Sequence, residues 1–418
     1  MASADPPHFL LLLPPPPADA TPSALKAAYG DTLSQVLKEV TTHSSDSSRA
    51  AILEIALALP HLVGKQDAPR ASLFASTQTF LAGVYGLITR IAAKEGIDVE
   101  DQDGVDVRIL LVSWSPEQGN GDSTDNHPTY GPVISLETLA KSGRSWQYAF
   151  GVESKEGEAF VKAFVEAKGS GEKVSRFGSQ SAAPTSQQTS STTATSNLSN
   201  AGSRHNHIAI GGTFDHIHIG HKLLLTMTVF SIDIPPRTSI KSSTSPPSDD
   251  HTITIGITGD QLLKNKKHAE VLESWHDRYL SVMLFINSIL DFSPPSTPGQ
   301  RHVSVRDDPG PNGKSMDVHY PNGLVIKCTE IQDPFGPTIT NKGISAMVLT
   351  AETRSGGKAV NDKRAEKGWK GLELFEVDVL DANAEEEGGV VREGFESKLS
   401  STAIREKLVR KKRGESSL

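Results

Sequence analysis

Eleven residues at positions 211–221, GGTFDHIHIGH, contain three glycines, two of them adjacent, with a threonine, an aspartate and three histidines. They lie between an apolar run that predicts a buried strand and a longer apolar run that predicts a helix. Paired glycines at a strand end let a ligand approach the backbone without obstruction by a Cβ atom. If the helix begins near Ile219, His218 and His221 lie about one turn apart at its N-terminus, where free amides and the helix dipole favour an anion. With the Thr213 hydroxyl, these two imidazoles would surround a phosphate with hydrogen-bond donors.

Two other interpretations of the histidines remain open. His216, His218 and His221 could bind a divalent metal, with His205 and His207 close by, since imidazole suits zinc, copper and nickel. The H-x-H-x-x-H spacing around a glycine turn is not a standard helical zinc spacing, however, so we predict no protein metal site. Alternatively, the histidines are core or capping residues, and a structural role is favoured for His207 and His216 individually.

Patterns typical of strands and helices alternate along the second half of the chain, on both sides of this turn. Apolar runs predict strands at HIAIGG, HTITIGITGD, GLVIKCTEI, SAMVLTAE and LELFEVDVL, and helices at IGHKLLLTMTVFSI, LESWHDRYLSVMLFINSILDF and STAIREKLVRKKR. This alternation predicts the α/β class, with a doubly wound, Rossmann-like parallel sheet. In such sheets the crevice at the carboxyl ends of the strands is the usual ligand site.

The first part of the chain predicts a separate α/β domain, with strands at PHFLLLLP and VRILLVSW and two amphipathic helices. It contains no catalytic motif. Residues 169–206 are rich in Ser, Thr, Gly and Gln, so we predict a disordered linker there. Proline-rich pieces predict surface insertions near 235–250 and 294–315. The predicted organisation is then an N-terminal α/β domain at 1–168, a linker at 169–206, a second α/β domain at 207–412 and a tail at 413–418.

Composition limits the functional classes further. A length of 418 residues predicts two folded domains. A formal net charge of −8 argues against a general binder of nucleic acid or anionic membranes. Cys328 is the only cysteine, which fits a reducing compartment. No uninterrupted apolar stretch approaches the ~18 residues of a membrane helix, so we expect a cytoplasmic protein, with a nuclear location left open by the basic VRKKR segment.

The segment GGTFDHIHIGHK resembles the T/HxGH signature of the nucleotidylyltransferases, and within them the eukaryotic-type phosphopantetheine adenylyltransferases of coenzyme A synthesis. Further blocks follow in the order of that family: GITGDQLLKNKK, HDRYLSVMLFI, IQDPFGP, LTAETRSGGKAVNDKR and LSSTAIREKL. The resemblance covers residues 207 to about 410. It implies ATP and 4′-phosphopantetheine as substrates, dephospho-coenzyme A and pyrophosphate as products, and Mg²⁺ bound with the ATP.

The resemblance also implies roles for individual residues. His221, Thr213 and Lys266 would stabilise charge on the α-phosphate during direct attack, without a nucleophilic side chain. Lys264 is the alternative to Lys266, and Lys267 completes the basic block. Hydroxyls at the start of the last predicted helix would hold the triphosphate. The remaining candidates for substrate binding are Gly211, Gly212, Phe214, Asp215, His218, Arg278, Asn361, Arg364, Ser400, Ser401, Thr402 and Arg405.

Several alternatives must be weighed against this hypothesis. DPGPNGKS at 308–315 nearly matches a phosphate-binding P-loop, but Asp308 replaces its first glycine and the following residues do not predict a helix. The chain could instead be a cytidylyltransferase or a nicotinamide mononucleotide adenylyltransferase, both of which normally carry different blocks. It could also be a non-catalytic subunit. Docking to other enzymes of coenzyme A synthesis is one hypothesis for the N-terminal domain.

Overall fold

The computed structural model describes residues 6–44, 50–99, 104–117, 129–169, 174–178, 202–234, 251–296, 299–380 and 400–414. These ranges form two β-sheets covered by helices. The predicted α/β class is confirmed.

The first sheet has six parallel strands in the order β4-β3-β2-β1-β5-β6. Its strands are β1 (His8–Leu13), β2 (Ala51–Ala58), β3 (Val105–Ser113), β4 (Val133–Ser135), β5 (Tyr148–Glu153) and β6 (Val174–Gly178). Its helices are α1 (Pro22–Ser44), α2 (Arg70–Glu95), α3 (Leu136–Lys141) and α4 (Lys155–Lys168). All eight residues of β2 are buried, which explains why these strands appear in the sequence as continuous apolar runs without alternation.

The second sheet has seven strands in the order β13-β12-β7-β8-β11-β10-β9. Its strands are β7 (His207–Gly212), β8 (His251–Thr258), β9 (His302–Asp307), β10 (Lys314–His319), β11 (Leu324–Ile331), β12 (Ala346–Thr350) and β13 (Glu373–Val377). Its helices are α5 (Ile219–Phe230), α6 (Trp275–Leu290), α7 (Arg354–Glu366) and α8 (Ser401–Lys412). Five strands are mutually parallel, as predicted, whereas β10 pairs antiparallel with both β11 and β9.

Two predicted boundaries are wrong. The surface insertion predicted near 294–315 contains β9 and the start of β10, so this segment extends the sheet. Val174–Gly178, inside the predicted linker, pairs as β6 with β5. Most of the predicted linker, residues 179–201, and the insertion at 235–250 lie outside the described residues. The near P-loop is a turn followed by strand β10, so the helix that a P-loop requires is absent at this place, as predicted.

The two sheets share one continuous hydrophobic core. Helix α2 packs on α5, helix α6 contacts β3, and the rings of Phe74 and Phe375 lie 4.8 Å apart across the junction. Within the described ranges, α2 is the one helix long and apolar enough to cross a membrane by length and composition. It lies against both α1 and α5, a position that an apolar core helix also occupies. The first domain is therefore in extensive contact with the second.

The parallel strands of the second sheet place their carboxyl ends along one edge. The first of them in the chain, β7, lies between β8 and β12, so the winding direction changes beside it. Ligands of doubly wound sheets bind at such a point. The histidine turn follows β7 directly and lies at this edge.

Candidate functional site

The turn begins where β7 ends at Gly212 and enters α5 at Ile219, the predicted helix start. Phe214 and His216 have φ values of 52° and 47°, a backbone region that non-glycine residues rarely occupy. A Cβ atom on Gly212 would lie 3.0 Å from the Phe214 ring. A side chain at position 212 would therefore crowd the buried Phe214 ring, which favours glycine there. At Gly211 the nearest atom to such a Cβ is 4.0 Å away, so the space there is open to a ligand.

Asp215 fixes the turn to two distant helices. Its Oδ1 accepts from the Glu273 backbone N–H at 2.9 Å, immediately before α6. Its Oδ2 accepts from Arg405 Nη1 on α8 at 2.5 Å. Asp215 is completely buried, so it supports the turn from the protein interior. The prediction that Asp215 contacts substrate is corrected, because its side chain has no exposed surface.

Arg278 plays a similar supporting role from α6. Its guanidinium donates to Thr213 O at 2.7 Å, Thr258 O at 2.8 Å, Glu273 O at 3.1 Å and Asp260 Oδ1 at 2.6 Å. These bonds tie the turn after β7 to the loop after β8. Both Arg278 and Phe214 are completely buried. Their predicted contact with substrate is corrected, because no surface of either side chain is left for a ligand.

His218 is the N-cap residue of α5. Its Nδ1 accepts from the Gly220 N–H at 3.2 Å, so the proton of the neutral ring lies on Nε2. Burial, and then the charges of His221 and Lys222, hold the pKa of His218 well below its usual value. His218 is therefore a neutral hydrogen-bond donor.

The His221 ring lies 4.0 Å from the His218 ring. Burial lowers the pKa of His221 to about 4, although the Asp215 carboxylate acts in the opposite direction. Its Nδ1 has no hydrogen-bond partner among the described residues. Both imidazoles at the start of α5 are therefore neutral near pH 7, so each ring carries a single N–H and no charge.

His216 belongs to the turn but not to this pair. Its Nε2 lies 2.9 Å from Val271 O, and its backbone N–H donates to Glu273 Oε2 at 2.8 Å. The three imidazoles therefore do not converge on one point. Within the described ranges, no group of three His, Cys, Asp or Glu side chains is placed to hold a metal ion. Glu273, whose pKa burial raises, was missed from the sequence because nothing in LESWHDR marks a turn-binding carboxylate.

The lysine block separates into two kinds of residue. The Lys267 ammonium lies 3.5 Å from Glu406 on α8, and the Lys267 carbonyl accepts from Arg405 Nε at 3.0 Å. The side chains of Lys264 and Lys266 are exposed and have no ion pair with any described residue. Lys264 and Lys266 are therefore exposed cations without an ion pair in the described part of the chain.

Helix α8 reaches the same place with its N-terminus. Ser400 Oγ accepts from the Ala403 N–H at 3.3 Å, which makes Ser400 the predicted N-cap. Thr402 Oγ1 accepts from Arg405 Nη2 at 3.1 Å. Because Arg405 also binds Asp215, the first turn of α8, including Ser401, is fixed beside the histidine turn. Arg405 thus uses three of its five N–H groups, two of them on other elements and one on Thr402 of its own helix.

Two predicted site residues lie near the amino ends of the parallel strands, on the side of the sheet opposite to the histidine turn. Asn361 bonds to both the N–H and the carbonyl of Leu372, just before β13 begins. Arg364 uses all five N–H groups on the carbonyls of Thr338, Asn341, Lys342, Ile344 and Lys370. Helix α7 runs away from the carboxyl edge, so its last turns lie near the amino ends of β12 and β13. Asn361 and Arg364 are therefore structural, and the prediction that they bind nucleotide is corrected.

The start of α7 is the part of that block which lies at the carboxyl edge, directly after β12. A Cβ on Gly357 would be 2.5 Å from Leu349, so a glycine lets α7 pack closely on β12. Gly356 has open space around it. Arg354 forms a bidentate pair with Glu376 at 2.5 and 2.7 Å. The glycines of this block thus lie near the carboxyl edge, whereas its Asn361 and Arg364 do not.

Comparison with known proteins gives different results for different parts of the chain. Residues 1–185 match a family described only as a domain of unknown function, DUF8446. The chain is 31% identical over 202 residues to an uncharacterised protein of Schizosaccharomyces pombe, covering 48% of each. It is 33% identical over 197 residues to a phosphopantetheine adenylyltransferase of Saccharomyces cerevisiae, covering 47% of each.

An archaeal protein is matched over nearly its whole length. A phosphopantetheine adenylyltransferase of Pyrobaculum aerophilum is 27% identical over 204 residues, which are 49% of this chain and 92% of that protein. The chain spans about half the length of the two fungal proteins it matches. About half of this chain is thus related, at a distance, to proteins with a nucleotidylyltransferase name.

Proposed function

We propose that this chain transfers the adenylyl group of ATP to 4′-phosphopantetheine, giving dephospho-coenzyme A and pyrophosphate. The observation that carries the proposal is the junction of two helix N-termini, those of α5 and α8, through the Arg405–Asp215 ion pair. Two exposed, unpaired lysines lie in the neighbouring loop. The names of the distant relatives point to the same reaction.

Nucleotidyl transfer brings two polyanions together, so negative charge is the main obstacle to the reaction. Preorganised donors and cations reduce that obstacle without reorganising during the reaction. In the proposal, Ser400, Ser401, Thr402 and the first-turn amides of α8 hold the triphosphate, together with Lys266 or Lys264. Thr213, whose hydroxyl has no partner among the described residues, and His221 lie beside the α-phosphate.

The reaction is a direct displacement. A phosphate oxygen of 4′-phosphopantetheine bonds to the α-phosphorus of ATP as the bond from that phosphorus to the bridging β-phosphate oxygen breaks. Pyrophosphate leaves, and no side chain of the protein forms a covalent intermediate. Neutral His218 and His221 can stabilise the charge on the α-phosphate by donating hydrogen bonds. Gly211 leaves room for the nucleotide at the strand end.

The Mg²⁺ in this proposal is bound by the ATP phosphates. The carboxylates around the turn are already engaged: Asp215 by Glu273 and Arg405, and Asp260 by Arg278 and the Trp275 N–H. They do not form a separate cage for the metal, so no step is assigned to a protein-held ion. A cytoplasmic location and docking to other enzymes of coenzyme A synthesis remain predictions.

The test is product formation by the purified chain with ATP, Mg²⁺ and 4′-phosphopantetheine, following pyrophosphate and dephospho-coenzyme A together. His221→Ala should lower the rate by roughly 100-fold or more, the effect of removing a preorganised donor. His216→Asn, in the same turn, is the matched control: Asn tolerates positive φ, and we expect most activity to remain. Parallel reactions with CTP, or with nicotinamide mononucleotide as acceptor, test the other two transferases.

Equal activity of His221→Ala and wild type would contradict the proposed role of His221. If no product forms while ATP still raises the melting temperature, the nucleotide site is supported and the acceptor is wrong. Activity only with CTP or only with nicotinamide mononucleotide would replace the proposed reaction by that one.

A further inference from the structure

Lys222 follows His221 in the sequence, but its side chain leads away from the candidate site. It is only 5% exposed, and its Nζ donates to Asp106 Oδ1 at 2.6 Å and to the Val107 carbonyl at 3.0 Å. Both acceptors belong to β3 of the first sheet. The residue next to one of the two site histidines is thus anchored in the N-terminal domain.

The anchor is ionic and is itself supported. Arg108 donates to Asp106 Oδ2 from both Nε and Nη2, at 3.0 and 2.5 Å. Although burial acts to raise the pKa of Asp106, the Lys222 and Arg108 cations hold that pKa below its usual value. The carboxylate is therefore ionised, and it binds one cation from each domain.

The helix that carries Lys222 is held on several sides. All twelve residues of α5 are buried or half-buried. On one side α5 packs against β7, β12 and β13 of its own sheet, and on another against α2 of the N-terminal domain. The Arg70 guanidinium of α2 lies 5.3 Å from the centre of the Phe230 ring at the end of α5. The position of α5 depends on both domains.

The second helix beside the turn, α6, is also held by the N-terminal domain. Arg144 pairs with the buried Glu54 and donates to the carbonyls of Ser288 and Asp291 at the C-terminal end of α6. Its guanidinium lies 4.1 Å over the Phe292 ring. A cation at a helix C-terminus also interacts favourably with the helix dipole.

We propose that the N-terminal domain is a clamp for the transferase site, and that Asp106 is its positioning residue, fixing α5 and thereby His218 and His221 through Lys222. This role rests on the proposed function of the second domain. The segment matched only to a domain of unknown function would then hold the start of α5 in the orientation that the phosphate requires. Small displacements of such groups are expected to be costly for catalysis.

The test uses the full chain with Asp106→Asn and, separately, Lys222→Met. Lys222→Met leaves Asp106 paired with Arg108, so no buried charge is stranded and the variant should fold. For both variants we expect kcat for adenylyl transfer to fall by roughly 10- to 100-fold, with a smaller change in the KM for ATP. Asp378→Ala is the matched control, because it removes another bond between the domains, from Gln78 at 2.7 Å, that does not involve α5.

A second readout does not depend on activity. In chain labelled with ¹⁵N-histidine, the imidazole signals of His218 and His221 should shift in Asp106→Asn and Lys222→Met and stay unchanged in Asp378→Ala. If wild type forms no product, the proposed reaction fails, and these signals alone decide whether the clamp exists. Unchanged signals, or an unchanged kcat in an active enzyme whose variants merely unfold at lower temperature, would overturn the proposal.

Discussion

In each of the two sheets the first strand lies between two neighbours: β1 between β2 and β5, and β7 between β8 and β12. The winding direction therefore changes at the equivalent place in both, where doubly wound sheets bind ligands. After β1 the chain continues as PPPPADAT, and Tyr29 donates to the Pro14 carbonyl at 2.6 Å. After β7 it continues as TFDHIH, with the Thr213 hydroxyl and two nearby lysines unpaired among the described residues. Among the described residues, the two equivalent places of the same architecture thus carry different polar groups, and function depends on the residues placed on the fold.

The ion pair between Asp215 and Arg405, which joins the histidine turn to α8, should contribute most to stability. Asp215→Ala leaves Arg405 buried without its carboxylate partner, and we expect the free energy of unfolding to fall by about 3–5 kcal/mol. Urea denaturation measures this change. Arg354→Met, which breaks the exposed pair with Glu376, is the control and should have a much smaller effect. Equal effects of the two variants would show that the turn does not depend on Asp215.

The two glycines at the end of β7 should respond differently to the same substitution. Gly212→Ala places a Cβ 3.0 Å from the Phe214 ring, so we expect a loss of about 1–3 kcal/mol in stability. Gly211→Ala meets no protein atom closer than 4.0 Å, so stability should be unchanged while adenylyl transfer decreases. Thermal unfolding and initial rates together separate the two effects. Full activity of Gly211→Ala would contradict close approach of a ligand at this strand end.

Substitution of the three lysines tests which of these cations are free for a ligand. We expect alanine substitution of Lys266 or Lys264 to raise the KM for ATP by roughly fivefold to tenfold, the effect of one partly solvated charge contact. Lys267→Ala should have the smallest effect, since its ammonium is already paired with Glu406. Because added salt screens such contacts, the differences should shrink at high ionic strength. A Lys267 effect larger than the other two would contradict the assignment of the free cations.

A separate effect is expected on the pH dependence of stability. His221 is neutral in the folded chain down to about pH 4, whereas in the unfolded chain it takes up a proton near pH 6.5. Between these values the unfolded state binds more protons, so stability rises with pH from about 4 to 6.5. His221→Asn should reduce that slope in chemical denaturation curves recorded across this range. An unchanged slope would show that burial does not lower the pKa of His221.

Much of the second domain could be predicted from the sequence because local signals and packing agree there. The strand before the turn, the α5 start at Ile219 and the Ser400 cap all follow from apolar periodicity and capping residues. The strands β9 and β10 could not, because they are rich in polar residues and the segments beside them contain prolines, as in a surface loop. Pairing with β11, a long-range contact, decides their structure.

The candidate site was predictable only in part, for a related reason. Motif spacing brought together Thr213, His218 and His221, which are close in the sequence. It did not show that Asn361 and Arg364 bond to the amino edge of the sheet, because the direction of α7 depends on where β12 and β13 lie. It also did not show that Lys222 contacts Asp106, since that bond depends on how two domains pack.

The Arg405–Asp215 pair joins residues 190 positions apart. At a synthesis rate of roughly 5–20 residues per second, this separation corresponds to about 10–40 s on the ribosome. Throughout that interval the histidine turn has already been made while its Arg405 partner has not, so Asp215 cannot yet be buried as an ion pair. The site must therefore be among the last parts of this protein to mature, and a nascent chain that stops before α8 should be a substrate for chaperones rather than a binder of nucleotide.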